Sequence, residues 1–229
     1  MDKLGYLSRI NIMEVLPMEA LKEVDRDAPM NVVRKGTIIM EPWHHSDVLF
    51  LLKEGRVRIY KISAEGKEFT LAMLGPGNIF GEIGSLSTGT EGAYAEALDD
   101  TVLCLWRKPD VERIMQQQPQ LAMRVMEVLS ARLKQMQELM GYLVMGDVRS
   151  RLLYLLLRLA AEFGAEDDGP WTLIAADLTH QDLAAMIGAT RETVSATLAA
   201  LSRDEVVRTG RKEIWVHRAR AKSELDARL

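Results

Sequence analysis

Residues 179–202 read Thr-His-Gln-Asp-Leu-Ala-Ala-Met-Ile-Gly-Ala-Thr-Arg-Glu-Thr-Val-Ser-Ala-Thr-Leu-Ala-Ala-Leu-Ser, and this stretch decides the fold of the C-terminal part. Thr179 followed three residues later by Asp182 is a helix start close to a capping box, since each side chain can accept from the other's backbone N–H. The spacing predicts a helix from Gln181 to Ile187 ended by Gly188, and a second from Arg191 to Ser202 capped by Thr190. Ala184, Gly188 and Val194 fall where a tight crossing needs a small residue, a left-handed turn and an apolar anchor, and Val194, Leu198 and Leu201 keep helical spacing inward. That is the helix-turn-helix pattern, whose second helix enters the major groove. Its outer N-terminal face would present Arg191, Glu192 and Ser195; a guanidinium donates bidentately to guanine and a carboxylate accepts from the cytosine amine. Short helix pairs with Ala and Gly at these offsets also occur in ordinary bundles, so the flanking sequence has to arbitrate.

Downstream, Val206-Val207-Arg208 and Ile214-Trp215-Val216 flank Thr209-Gly210-Arg211-Lys212-Glu213, a predicted hairpin whose tip offers two cations for phosphate contact: a wing. From Ala189 to Lys222 there are eight cations against four acids, so this segment is +4 inside a chain of net charge −4. The footprint that phosphate binding requires is therefore local. With His180, Gln181 and Thr190 at the helix starts, the candidate DNA-binding residues are Arg191, Glu192, Ser195, Arg211 and Lys212. Beyond the wing, Ala221, Leu225 and Leu229 at spacing four predict a short further helix to which the sequence assigns no purpose.

Upstream, Asp147 is placed to cap a helix through Leu152–Leu159, and Glu166-Asp167-Asp168-Gly169-Pro170 reads as an acidic loop that breaks it. Before that, Pro109 and Pro119 each sit where a helix can begin. After Pro119, Leu121, Val125, Val128/Leu129, Leu133, Met136, Leu139/Met140 and Leu143 recur at steps of three and four, up to the Gly141–Gly146 stretch. A stripe that long predicts a coiled-coil seam between two identical subunits; a helix packed on its own domain is the alternative. From about Met30 to Trp106 the pattern changes to short strands punctuated by glycine, spaced by about ten residues, as in a sandwich or barrel. Val57, Ile59 and Lys61 alternate with Arg56, Arg58 and Tyr60, Ala64-Glu65-Gly66-Lys67 turns the chain, and Phe69, Leu71 and Met73 resume the period of two. Gly75-Pro76-Gly77-Asn78 makes another turn, and Ala93–Leu98 and Thr101–Trp106 bracket one at Asp99-Asp100.

Composition bounds the rest. At 229 residues, 48% hydrophobic and 27% charged, the chain is an ordinary globular one of one large or two modest domains, not a disordered one. The single cysteine, Cys104, excludes an internal disulfide, a thiolate zinc site and a cysteine-ligated iron–sulfur cluster, and suits a reducing cytoplasm. Lying among Val102, Leu103, Leu105 and Trp106, it reads as a buried strand residue. Apolar runs such as Leu152–Leu157 fall far short of the roughly 18 residues of a membrane span, and Met1–Leu16 lacks a signal-peptide core.

The order β-roll, long apolar helix, winged helix-turn-helix resembles the Crp–Fnr family of bacterial transcription regulators over nearly the whole chain. The residues that carry the likeness are Gly75-Pro-Gly-Asn-Ile-Phe-Gly-Glu-Ile-Gly84, Asp147 after the long helix, and Thr190-Arg-Glu-Thr-Val-Ser195. The resemblance implies an α+β chain: a double-stranded β-helix or jelly-roll, cyclic-nucleotide-binding-like sensor at 1–108, a dimerisation helix and hinge at 109–146, and a winged helix-turn-helix at 147–229. It implies a homodimer on a palindromic operator, since two-fold protein symmetry demands a two-fold site. Arg191 and Glu192 match the Arg-Glu-Thr-Val pattern of the cyclic-AMP receptor branch, which implies a TGTGA-like half-site; where that pattern continues with an arginine, this chain has Ala196.

The implied effector residues are Gly81, Glu82, Ile83, Gly92, Ala93, Met136 and Gln137. Glu82 could accept from a ribose hydroxyl, but the Arg-Ser pair that holds the phosphate is here Gly92-Ala93, no cation in Ser85–Tyr94 replaces it, and the Thr-Ser pair beneath the adenine is Met136-Gln137. A charged phosphate would be uncompensated, so the expectation is an effector other than cyclic AMP, or activity without one, with a cyclic-nucleotide-responsive sensor as the alternative. Haem would need His44 or His45, adjacent residues that a strand points to opposite faces. A metal β-barrel enzyme would need a His-x-His pair that is absent, Gly75-x-Gly77-x-x-x-Gly81 has the wrong spacing for a dinucleotide loop, and a ligand-binding module for some other effector domain would lack the base-reading helix. No catalytic residue, metal or cofactor is expected. The expected partners are double-stranded DNA, a second copy of the chain, RNA polymerase and an unknown small molecule, in the cytoplasm and not at a membrane.

Overall fold

Between Met30 and Arg107 the glycine-punctuated sequence folds into two antiparallel sheets of a β-sandwich. The structure, a computed structural model, describes residues 30–43, 47–84, 86–175, 177–210 and 213–228. Met1–Leu16, His44, His45, Arg211, Lys212 and Leu229 lie outside the described residues. One sheet has the order β1 (Met30–Val33), β9 (Thr101–Arg107), β3 (Val48–Glu54), β6 (Ile79–Ile83), β7 (Leu86–Ser87). The other runs β2 (Ile38–Met40), β8 (Tyr94–Ala97), β4 (Val57–Ile62), β5 (Glu68–Leu74).

The period of two in β3 explains how the first sheet is buried on both faces. Phe50 and Leu52 join Phe80, Leu103, Val57, Ile59 and Ala95 in the core between the sheets. Leu49 and Leu51 face the other way, with Ile79, Ile83, Cys104 and Trp106. That second face is covered by α1 (Lys108–Gln117), through Val111 and Ile114, and by the start of α2 (Pro119–Met145), through Leu121 and Val125. Both prolines stand at their helix starts as expected. Cys104 is a buried strand residue, also as expected.

Two sequence expectations need correction. In β4, Tyr60 is buried and Lys61 exposed: Tyr60 stacks on Tyr94 and lies beneath the Arg58 guanidinium, and the register shift opposite Ile59 and Tyr60 puts the extra residue, Leu71, in β5. The acidic segment after α3 (Val148–Phe163) is not a loop: Gly164–Asp168 forms β10, which pairs with β11 (Trp171–Ile174) across a turn at Gly169-Pro170.

Packing divides the chain into two compact units, 1–133 and 134–229, with the boundary inside α2. The apolar stripe divides there too. Leu121 and Val125 are buried and Val128 and Leu129 pack partly on the same core, whereas Leu133, Met136 and Met140 are 59%, 59% and 62% exposed. In the second unit α3, capped by Asp147 through Ser150 N–H, carries α4 (His180–Ile187) and α5 (Arg191–Arg203). Strands β12 (Val207–Gly210) and β13 (Glu213–His217) join β10 and β11 in one sheet, and α6 (Arg218–Asp226) packs on α3 through Ala221 and Leu225. No helix among the described residues is long and apolar enough to cross a membrane.

Candidate nucleic-acid interface and effector residues

The capping box predicted at Thr179 is complete. Asp182 N–H donates to Thr179 Oγ1 at 3.2 Å, and Thr179 N–H donates back to Asp182 Oδ2 at 2.8 Å. Gly188 closes α4 at φ 62°, a left-handed conformation in which it donates to the Ala184 carbonyl. Arg151 of α3 adds a constraint the sequence did not disclose: its Nη1 donates to the Ile187 carbonyl at 2.9 Å, satisfying an acceptor at the turn. Thr190 then caps α5 by accepting from Thr193 N–H, and Val194, Leu198 and Leu201 are buried. The turn is thus held at both ends by local bonds, and the first turn of α5 emerges in a defined direction.

On that turn Arg191 and Glu192 are exposed, and among the described residues their side chains make no hydrogen bond or ion pair. Their polar groups are available to a base edge. Gln181 is exposed and Thr190 lies at the same end. Ser195 and His180 differ. Ser195 Oγ donates to the Arg191 carbonyl at 2.9 Å, and His180 Nδ1 lies 2.7 Å from the same oxygen.

The wing hairpin pairs Val207–Gly210 with Glu213–His217. Three of the segment's cations are exposed yet engaged by the scaffold. Arg208 lies 4.0 Å over the Trp171 ring and 3.5 Å from Asp168, Arg220 pairs with Glu205, and Arg218 reaches the Ala160 carbonyl. Arg191, Arg203 and Lys222 are exposed as well. The tail helix has a structural purpose: Arg149 at the start of α3 donates to both oxygens of Glu224 and to Asp204 Oδ2, while Arg228 bridges Glu224 and Asp147. Hydrogen bonding from Arg149 holds the Glu224 carboxyl below its usual range against the opposing effect of burial, and the Ser150 N–H does the same for Asp147.

The implied effector residues of the sandwich gather on β6 and the loop after it. Gly81 has φ +104°, and a Cβ there would stand 2.3 Å from the Val48 carbonyl oxygen, so only glycine fits. Its backbone is satisfied by buried threonines of the same loop: its N–H donates to Thr90 Oγ1 at 3.2 Å, and its carbonyl accepts from Thr88 Oγ1 at 3.0 Å. Ile83 and Ala93 are buried and Glu82 half-buried. Gly92, at φ +64°, does have a cation near it. The Lys61 ammonium lies 3.6 Å from where a Gly92 Cβ would be, delivered from β4 rather than from the loop of Gly92 itself. Met136 and Gln137 are exposed residues of the other compact unit.

Residues 30–118 match the cyclic nucleotide-binding domain and residues 150–221 the Crp-like helix-turn-helix domain. The chain is 35% identical over 171 residues to the cyclic AMP receptor protein of Thermus thermophilus, covering 75% of this chain and 76% of that one. It belongs to the Crp–Fnr family of DNA-binding transcription regulators. A global nitrogen regulator of Nostoc is a second such relative, 33% identical over 187 residues, 80% of this chain and 83% of its own. A CooA mutant from Carboxydothermus hydrogenoformans shares the architecture at a TM-score of 0.80 and 27% identity, over 96% of this chain and 97% of that one. The Crp–Fnr assignment rests on both units, and the sequence motifs at 75–84 and 190–195 lie inside the two matched regions.

Proposed function

We propose that this Crp–Fnr regulator works in the cytoplasm as a homodimer, reads a palindromic operator with TGTGA-like half-sites, and answers to an effector other than cyclic AMP or to none. The carrying observation is the pair Arg191 and Glu192, exposed together on the capped first turn of α5. Arg191 donates to guanine and Glu192 accepts from the cytosine amine, which supplies direct readout. Thr190, Gln181 and the wing cations Arg211 and Lys212 take the sequence-blind phosphate contacts. The exposed apolar run Leu133, Met136 and Met140 supports the dimer, because a second copy of α2 would remove those side chains from water. In functional terms residues 1–108 sense, 109–146 dimerise and transmit, and 147–229 bind DNA. RNA polymerase is the expected protein partner, and no enzymatic activity is assigned.

For the sensor, the missing arginine at Gly92 and the self-satisfied backbone of Gly81 support a site that does not recruit a nucleotide phosphate. The relatives are themselves named for different signals, one for cyclic AMP and one for nitrogen. One observation favours the other reading: the Lys61 ammonium beside Gly92 offers a phosphate the charge that the loop lacks. Fluorescence anisotropy of the full chain on a labelled TGTGA-N6-TCACA duplex and on a scrambled control, with and without cyclic AMP, separates them. Specific binding without nucleotide is expected. Specific binding only with cyclic AMP, abolished by Lys61→Ala, would establish the second reading instead. Arg191→Ala or Glu192→Ala should each weaken the specific complex by about 1–3 kcal/mol, whereas Lys212→Ala should lower the salt slope by about one.

A further inference from the structure

We infer that His180 is a positioning residue for base readout: through Ser195 it fixes the turn that carries Arg191 and Glu192, and the Ser195 hydroxyl donates to no base. The inference rests on the proposed reading of DNA by α5. It begins with the hydrogen-bond inventory of one hydroxyl, which has a single proton to donate. Ser195 Oγ lies 2.9 Å from the Arg191 carbonyl and 2.7 Å from His180 Nδ1. If the proton goes to the carbonyl, Nδ1–H of the imidazole donates to the hydroxyl oxygen and both bonds are made. If the proton goes to Nδ1, the carbonyl bond is lost. The first arrangement makes one bond more, and in neither does the hydroxyl keep a proton for a guanine or adenine acceptor.

A serine bonded back to the carbonyl four residues earlier slightly loosens and bends its helix when it acts alone. Here it does not act alone. His180 is the first residue of α4, directly after Thr179, whose reciprocal bonds with Asp182 fix that end of the helix. The chain of contacts therefore runs from the capping box of α4 through the imidazole and the hydroxyl to the Arg191 carbonyl, the backbone of the very residue whose guanidinium faces outward. A helix-start histidine would more simply be a phosphate contact, and such contacts carry no sequence information. The two roles differ in what they do to base discrimination.

The test uses the full chain and an operator selected with it from a random duplex pool, with dissociation constants measured by anisotropy on that operator and its single-base variants across a salt series. Arg191→Ala and Glu192→Ala identify the base pairs they read. His180→Ala and Ser195→Ala are each expected to cut discrimination at those base pairs by about threefold to tenfold, with the salt slope unchanged. The double variant should lose no more than either single one. His180→Asn, whose amide can donate from near the Nδ1 position, should restore discrimination to within about twofold. A uniform loss across all sequences with the salt slope lower by about one would make His180 a phosphate contact and overturn the inference. So would additive losses, unchanged discrimination, or failure of the asparagine variant in a protein whose circular dichroism is native. If the parent chain selects no operator at all, it is the DNA-reading proposal that fails, and this inference with it.

Discussion

The two halves of the chain treat their polar groups in opposite ways. In the winged-helix unit, Arg191 and Glu192 stand exposed on a turn whose backbone is capped locally, while the ionic network of Arg149, Glu224, Arg228 and Asp147 ties the tail helix elsewhere in the unit. In the sandwich, the loop after β6 turns inward: Thr88 and Thr90 are buried and spend their hydroxyls on the N–H and carbonyl of Gly81. A reader must keep donors and acceptors for its ligand, and a scaffold must not. Desolvating an unpaired polar group costs about 1–3 kcal/mol, so an inward-facing loop is stable only when its own side chains complete its backbone.

Substitutions in either unit test this contrast in polar groups. The largest effect is expected for Gly81→Ala, which adds a Cβ 2.3 Å from the Val48 oxygen at a φ of +104°. Strain and a disturbed β3–β6 ladder should remove about 3 kcal/mol or more, seen in urea unfolding as early loss of the sandwich. Next, Arg149→Ala leaves Glu224 with Arg228 alone and Asp204 to water, and should cost about 1–2 kcal/mol, while base preference at a temperature below unfolding stays unchanged. A changed preference would mean that the tail network and the reading face are not separate. Thr90→Val, of nearly equal volume, should cost about 1–2 kcal/mol by leaving the Gly81 N–H without its acceptor; an unchanged unfolding midpoint would show that the loop does not depend on that hydroxyl.

The smallest effect is a pH dependence in the second unit. The Glu224 and Asp147 carboxyls are held below their usual range in the folded chain, first by the Arg149 and Ser150 hydrogen bonds respectively. Groups lowered on folding stabilise fully above the unfolded value of about 4 and lose that contribution as pH falls through it toward the folded value. The thermal midpoint should therefore drop between about pH 5 and 3, and Glu224→Gln should flatten the drop. An identical acid response in that variant would put the dependence elsewhere.

What could be read without the structure follows the range of the interactions involved. The capping box of Thr179 and Asp182, the left-handed Gly188 and the cap at Thr190 act within three or four residues, and each lies where the spacing predicted it. The β10–β11 pair was not legible, since Glu166-Asp167-Asp168 has no apolar alternation; the pairing is supported instead by Trp171–Ile174 and by β13 on its far side. The +4 count of the C-terminal segment was correct as arithmetic, but it did not show that the exposed Arg208 and Arg220 are engaged by partners that no local pattern reveals. The Lys61 ammonium beside Gly92 was hidden for the same reason, since β4 and the Gly92 loop meet only in the folded sandwich.

By itself the sequence determined the helix-turn-helix, most of the order of the elements and the family, because helix caps, glycine turns and hydrophobic periods are encoded within a few neighbouring residues. Tertiary structure alone decided which of those polar groups remain outward. The Ser195 hydroxyl is taken by His180, fifteen residues earlier, the Gly81 backbone by its threonines, and Arg149 by Glu224, seventy-five residues away. A hydrogen-bonding group has a fixed number of partners, and only the folded chain shows where they are.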